Sequence, residues 1–560
     1  MVQNTHEMLP GRRRNLMVNG TAWAALTAGL LCASPSIAQD SPVTLAQAAA
    51  PAVQPAANPE RPPSEISSFA GSLIPGFQLG ARVDLSETYT TNSYGYYTTG
   101  NNGDDLITQA GLFLDMHEHS RSVSIDASYG GQLYYYARDT QPVQFINDLQ
   151  AVGQVIAIPD YLSFIGRAFA QPVVSSSSAF GSAYGIGSPN GYRNGYGYTV
   201  GPDITFRLGD FASSDTLATY SAAYFETPNG FDPTIVIPGV IGPQNTQIRS
   251  VQETLRSGEF FSRLQWTGVG TFMENESPQG LFSAKMGVVT FRYLIQRGFS
   301  LLGTGGYNAL TNSIGFNRSI SGPIAMGGVS YENENFSLEA QAGQRYNALS
   351  YEGTVRWNIG PTTAFTGVVT DGVNTPEGQL LSNLGGLTAS LGGVLTNGSN
   401  IYANGSTASL TSFNLQQQGS LSFDQSVARY QRAVLTFLQD IERNHIALSA
   451  FAEKRTRLAG PIVGSDVSNS WGGYATYSRD VSRLTNASLY AGYTYYDELQ
   501  GHSKFFNFGG QVGYSLSQQT SAYFRADYFK RETSPSFQSL SPITGGTDEL
   551  RLTIGLSHRL

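Results

Sequence analysis

The sequence predicts an all-β protein, an antiparallel transmembrane β-barrel of about 18 to 22 strands, even in number. Three observations lead there: an export signal, a composition poor in charge, and apolar residues that recur on alternate positions. Charged residues make up 13% of the chain, against about 25% in a typical soluble domain. Glycine (63), tyrosine (31) and phenylalanine (30) are plentiful. Beyond the export signal no apolar run reaches the length of a spanning helix, about 20 residues. Strands that are apolar on one face only, closed so that no edge is left unpaired, give such an average.

Arg12, Arg13 and Arg14 precede an apolar run from Thr21 to Ala33, and Ser36-Ile37-Ala38 follows. That order is a basic region, a hydrophobic region and a small-x-small cleavage site, so residues 1–38 are expected to be a cleaved signal peptide. Ordinary secretory export is preferred over the twin-arginine route, because the start of any signal peptide needs positive charge. Cys32 follows Leu31, where lipidation would want a small residue, so no lipid anchor is expected. Cys32 is also the only cysteine, and its removal leaves no disulfide, thiolate metal site or cysteine nucleophile. The removed segment carries three arginines and one glutamate, so the mature chain is more acidic than the −8 of the whole sequence. Nucleic acid is not expected as a partner. Residues 39–77, with Pro42, Pro51, Pro55, Pro59, Pro62, Pro63 and Pro75 and no apolar period, read as a disordered periplasmic leader.

From residue 78 to 560 the period is two, the mark of strands that meet an apolar phase on one face and a polar one on the other. Leu550, Leu552, Ile554, Leu556 and Leu560 share one face of the last segment; Glu549, Arg551, Thr553, Ser557 and Arg559 share the other. Segments 123–138, 336–346, 351–358, 433–442, 446–455, 487–498 and 522–531 behave similarly and are long enough to cross a bilayer tilted. Turns such as Ser482-Arg483-Leu484-Thr485 and Ser517-Gln518-Gln519-Thr520 are short, as periplasmic turns are. The glycine- and serine-rich stretches 174–194, 226–246 and 375–419 would be external loops, the last with a run, 380–387, suited to a short helix in the lumen or to an ordinary surface loop. At about 24 residues per strand and connection the span holds roughly 20 strands, and an even count puts both termini on the periplasmic side. A propeller or β-helix would also be built of short strands, but neither explains the final one. Leu552, Ile554, Leu556, His558 and Leu560 resemble an outer-membrane assembly signal, with leucine in place of the usual terminal phenylalanine and His558 at the usual aromatic position. The expected location is the cell outer membrane, and the expected partners are its lipid and the barrel assembly machinery.

Phasing each strand by its apolar face gives the lumen candidates: Asp126, Glu339, Arg345, Glu352, Arg356, Arg432, Glu453, Arg525, Asp527 and Arg551. Both signs occur, so strong ion selectivity is not expected, and cross-strand pairing would rigidify a wet interior. Tyr134, Tyr136, Tyr490, Tyr496 and Tyr523 fall on the same face, suited either to stacking on sugar rings or to an interface girdle. No G-x-S-x-G, H-E-x-x-H or P-loop occurs, so no enzyme, cofactor or metal is expected. His117 and His119, two apart, make an incomplete zinc site and read better as a hairpin end.

Several stretches resemble the outer-membrane barrel family associated with exosortase and PEP-CTERM sorting systems. They are Asp84-Leu85-Ser86-Glu87-Thr88-Tyr89-Thr90-Thr91-Asn92, Asp105-Leu106-Ile107-Thr108-Gln109, and segments 124–136, 331–346, 350–360, 449–455 and 478–493. The resemblance covers most of the mature chain through strand alternation and turn residues, and carries no catalytic residue. It implies a barrel that takes part in export or assembly of surface polysaccharide, with polysaccharide and envelope export proteins as partners. Composition and periodicity also admit a porin for passive diffusion of small solutes.

Overall fold

The computed structural model describes residues 77–93, 103–174, 192–225, 245–278, 280–313, 318–374, 427–459, 467–498, 501–533 and 547–560. Within them the chain forms twenty-two strands: β1 (Phe77–Thr90), β2 (Asp105–His119), β3 (Val123–Tyr136), β4 (Gln144–Ile158), β5 (Leu162–Val174), β6 (Tyr192–Leu208), β7 (Ala212–Phe225) and β8 (Thr246–Ser257). Then come β9 (Leu264–Ser277), β10 (Gly280–Gln296), β11 (Phe299–Asn312), β12 (Arg318–Glu332), β13 (Phe336–Arg345), β14 (Ala348–Asn358) and β15 (Thr363–Asn374). The last seven are β16 (Val427–Ile441), β17 (Asn444–Ala459), β18 (Val467–Asp480), β19 (Thr485–Glu498), β20 (Gly501–Ser515), β21 (Thr520–Thr533) and β22 (Thr547–Arg559).

Each strand pairs antiparallel with the next, and β22 pairs with β1 from Thr90↔Arg551 to Arg82↔Arg559. The sheet is therefore a closed barrel, all-β, with an even strand number at the top of the expected range. The closing seam continues past the ladder, because Thr91 N donates to Leu550 O at 3.0 Å and Leu560 N to Ala81 O at 2.9 Å. Inside it, Thr88 and Thr553 hydroxyls meet at 2.9 Å and Thr90 donates to Glu549 at 2.6 Å.

Alternation fixes both faces. Leu550, Leu552, Ile554 and Leu556 are exposed outward, while Glu549, Arg551 and Ser557 between them are buried. At one rim Trp471, Tyr493, Tyr495 and Phe506 form an outward aromatic cluster, with Trp471 stacked on Tyr495 at 5.8 Å and Tyr493 against Phe506 at 4.9 Å. At the other rim Phe291, Tyr293, Tyr331, Trp357, Tyr477 and Tyr514 are exposed outward. Two aromatic girdles around an apolar band are the surface of a transmembrane barrel of the outer-membrane type. Among the described residues no helix is long and apolar enough to cross a membrane; the crossing is made by strands.

The start of β1 and the end of β22 share one rim with ten short connections, none longer than 258–263. They include the Ser482–Thr485 turn, closed by Ser482 N to Thr485 O at 3.0 Å, and the turn where Ser517 N donates to Thr520 O at 3.0 Å. This is the rim expected to face the periplasm. The three expected loops, with the 380–387 run, lie almost wholly outside the described residues, as do the expected signal peptide and leader; the described ends of β5 and β6, β7 and β8, and β15 and β16 that flank these loops are at the opposite rim.

The face assignment has a direct check. Leu552→Arg or Ile554→Arg puts a charge against lipid and is expected to cost about 2–4 kcal/mol near the midplane. Thr553→Arg faces inward and should be milder. Heat-modifiable gel migration reports folded yield, and equal losses for all three would refute the phasing.

Candidate functional site

The inner wall of the barrel is where a solute would bind, and its chemistry divides into sectors. All ten candidate residues lie on the inward register of their strands. Asp126 sits near the periplasmic rim, 2.8 Å from His117 Nδ1 and 3.5 Å from His119 Nε2, while His119 Nδ1 meets Ser124 at 2.8 Å. Glu339 on β13 takes a hydrogen bond from Arg292 on β10 at 2.5 Å, reaching across two intervening strands. Arg345 and Glu352, at the top of β13 and β14, form an ion pair. Arg432 lies opposite Glu453 in the β16–β17 register, and Arg356 faces inward on β14.

Arg525, Asp527 and Arg551 come together. Asp527 stands opposite Arg551 in the β21–β22 register and lies 2.8 Å from Arg525 Nε. Tyr490 on β19 donates its hydroxyl to Asp527, stacks on Tyr474 with centroids 6.0 Å apart, and takes a contact from Arg525 Nη2 at 3.3 Å. Arg551 pairs with Glu549, donating from Nη2 at 3.0 Å, and its guanidinium sits 5.6 Å above the Phe529 ring. Further round the wall, Arg531 lies 5.3 Å over Phe505, and Arg455 5.6 Å over Tyr430. On β3 the Tyr134 hydroxyl donates to Gln132 at 2.6 Å, and Gln132 also accepts from Gln109 at 2.7 Å. From β16 through β22 and on to β3 the lumen is thus lined by arginines and tyrosines tied to carboxylates and amides. Alternation alone points to Glu549 and Arg531, which share parity with the candidates on their own strands, whereas Tyr474 lies on β18, which carries no candidate.

The wall made by β9 to β12 is different. Among its inward side chains is an apolar group in which Val269, Val288, Ile324 and Met326 pack together with Met286. Toward the external rim Phe282 and Leu310 pack with Val373 and Val427, and Met273, Ala284, Ile320 and Tyr346 lie against them. Beside the charged residues and tyrosines expected in the lumen, this wall therefore adds an apolar sector.

Between the two sectors stands a buried ionic cluster absent from the candidates. Arg429 Nε donates to Asp371 Oδ1 at 2.7 Å, and Gln431 reaches the same carboxylate at 3.3 Å. Arg429 and Asp371 occupy the outward register of apolar strands, beside Val373 and Val369. A charge of each sign where lipid contact is expected was the signal available. Burial raises the pKa of the neighbouring Tyr346 phenol above its ordinary value.

The Tyr490–Asp527–Arg525 cluster is expected to hold the wall. Asp527→Ala strands a buried guanidinium and should lower stability by about 3–5 kcal/mol; Tyr490→Phe removes one hydrogen bond to a charged group, about 1.5–3 kcal/mol. Denaturant titration of the folded barrel in lipid vesicles measures both. Losses under 0.5 kcal/mol (roughly the level of exposed pairs) would show that water already screens the cluster.

No protein-family model matches the sequence, and no curated protein matches it. Solved structures similar to it include the FrpB iron transporter from Neisseria meningitidis (F3-3 variant), at 10% identity and TM-score 0.46, covering 88% of this chain and 83% of that one. The siderophore receptor PirA from Pseudomonas aeruginosa is 10% identical, TM-score 0.43, over 86% of this chain and 80% of that one. OccAB1 from Acinetobacter baumannii is 9% identical, TM-score 0.31, over 87% of this chain and 97% of that one.

Proposed function

We propose that the chain sits in the cell outer membrane and takes part in export or assembly of surface polysaccharide. The observation that carries this reading is the tyrosine- and arginine-lined wall from β16 to β3. Aromatic faces stack on the C–H faces of sugar rings, and arginines held by carboxylates offer donors to hydroxyls and acidic groups without a large net charge. The likeness of the β1 strand and the later hairpins to barrels associated with exosortase and PEP-CTERM sorting systems supports the same reading. It also suggests envelope export proteins as partners, with the barrel assembly machinery acting earlier, at insertion through β22.

A porin for passive diffusion of small solutes is the second reading. It is favoured by the pairing of lumen charges, since Arg345 with Glu352, Arg292 with Glu339 and Arg525 with Asp527 leave little net field along the wall. A path without a strong field passes solutes of either sign.

Two measurements separate the readings. In the export reading, deleting the gene reduces surface and released polysaccharide and leaves uptake of small nutrients unchanged, and the purified barrel carries no steady current in a planar bilayer. A large, stable conductance of the purified protein together with normal polysaccharide in the deletion strain would overturn that reading in favour of the porin.

A further inference from the structure

Among the described residues the backbone ladder stops short at the external end of two strand pairs: β4–β5, whose last pair is Leu149↔Ala170 although β4 begins at Gln144 and β5 runs to Val174, and β14–β15, where arginines take over. β14 and β15 pair from Asn358↔Ala364 up to Gly353↔Val369 and stop, although β14 begins at Ala348 and β15 continues to Asn374. On the far side β15 stays zipped to β16 over its whole length, to Asn374↔Ala428. Residues 348–352 and 370–374 therefore flank a seam without ladder hydrogen bonds, at the external end of the wall. Backbone groups at membrane depth must find partners, and here side chains supply them. Arg429 Nη2 donates to Leu349 O at 2.6 Å and Arg345 Nη1 to Asp371 O at 3.4 Å. The same guanidiniums hold the Asp371 and Glu352 carboxylates. Such bonds exchange partners one at a time, whereas a ladder must be broken in sequence.

The tip above the seam is strained. Tyr346 and Asn347 form a two-residue turn with φ of 54° and 57°, a conformation suited to Asn and Gly but costly for tyrosine. Its ring is held between the Arg345 and Arg429 guanidiniums, 4.9 and 5.8 Å from its centroid. Strain of this kind persists where the surroundings enforce it and gathers at switch regions.

Directly behind the seam lies the apolar sector of the lumen. Tyr346 packs against the Phe282 cluster, and Arg345 Nη2 is 3.4 Å from Met286 Sδ. Asn308, opposite Met286 in the β10–β11 register and 1% exposed, finds no hydrogen-bond partner for either end of its amide among the described residues; nor does the fully buried Ser350 hydroxyl. Buried polar groups left without partners call for an explanation, and a polar group of a bound molecule provides one. On the outside, Leu349 and Tyr351 are exposed beside the seam.

We infer that the β14–β15 seam is a lateral portal through which the acyl chain of an outer-leaflet amphiphile reaches the apolar sector of the lumen. The chain lies along the Met286 and Phe282 side, and its anionic head group competes for Arg345 and Arg429, which then release the Leu349 and Asp371 carbonyls. The inference needs only the wall and is independent of whether the lumen serves polysaccharide or small solutes.

Photolabelling tests it. The mature protein is placed in phosphatidylethanolamine–phosphatidylglycerol vesicles containing a phospholipid with a diazirine in its acyl chain, irradiated, and mapped by mass spectrometry. Adducts are expected on inward Phe282, Met286 or Met326 as well as on outward Leu349 and Val329. Extending the β14–β15 register sets Ser350 against Gly372, so the oxidised Ser350→Cys/Gly372→Cys protein should lose inward adducts at least tenfold and regain them on reduction. Outward labelling without inward labelling in the unmodified protein, or inward labelling unchanged by the closed disulfide, overturns the portal. Should that disulfide not form, hydrogen exchange of the unmodified protein decides. The amides of 349–352 and 370–373 that face the seam are expected to exchange at least tenfold faster than the amides of 364–369 that bond across to β14, and equal protection overturns the inference.

Discussion

Backbone closure is the constraint on which the rest of this protein depends. Inside hydrocarbon an unpaired N–H or C=O costs several kcal/mol, so a sheet can cross only if its last strand returns to its first. Here β22 meets β1 in register, and threonines and a glutamate extend the joint inward through Thr88–Thr553 and Thr90–Glu549. β22 is thus the strand that removes both edges. Antiparallel pairing and an even count then bring the beginning of β1 and the end of β22 to the same rim.

Closure together with a period of two decides where every side chain points, and this made much of the fold legible. β22, β21, β19 and β17 alternate cleanly because lipid demands leucine, isoleucine, phenylalanine or tyrosine outside while the lumen tolerates arginine and aspartate. The short turns were legible too, since Ser482 and Ser517 are residues that close tight turns with their own side chains. β9 to β12 were not. Their inner face carries Met286, Val288, Ile324 and Met326, while Gly287 and Gly327 stand on the outer face. With apolar residues on both sides, or none on the outside, the period-two signal fades.

The same argument explains what was hidden in the site. Charges of the β16 to β3 sector could be read because parity alone places Arg525, Asp527 and Arg551 on one face. Parity cannot say that Tyr490 completes their cluster, since that contact joins β19 to β21 across a whole strand, β20. Arg429 and Asp371 were hidden more deeply. Their register points to lipid, yet beside the unpaired ends of β14 and β15 they are buried and pair with each other.

That loss of pairing stands beside a short hairpin, although β14 and β15 both run past their last pair, Gly353↔Val369. β13 and β14 have 10 and 11 residues, where β12 has 15 and β16 has 15, so their hairpin ends lower than its neighbours and the wall above it must be made some other way. Asn347 bonds one side down, donating to Ser321 O at 3.0 Å, and it can lie so close because Gly322 has no side chain; a Cβ there would sit 2.1 Å from the Asn347 amide oxygen. The other side is left to Arg345, Arg429 and the carboxylates between them. A barrel stable because it is closed therefore carries at β14–β15 a partial edge held shut by charge, and that edge stands beside the apolar cluster of Phe282 and Met286 in the lumen.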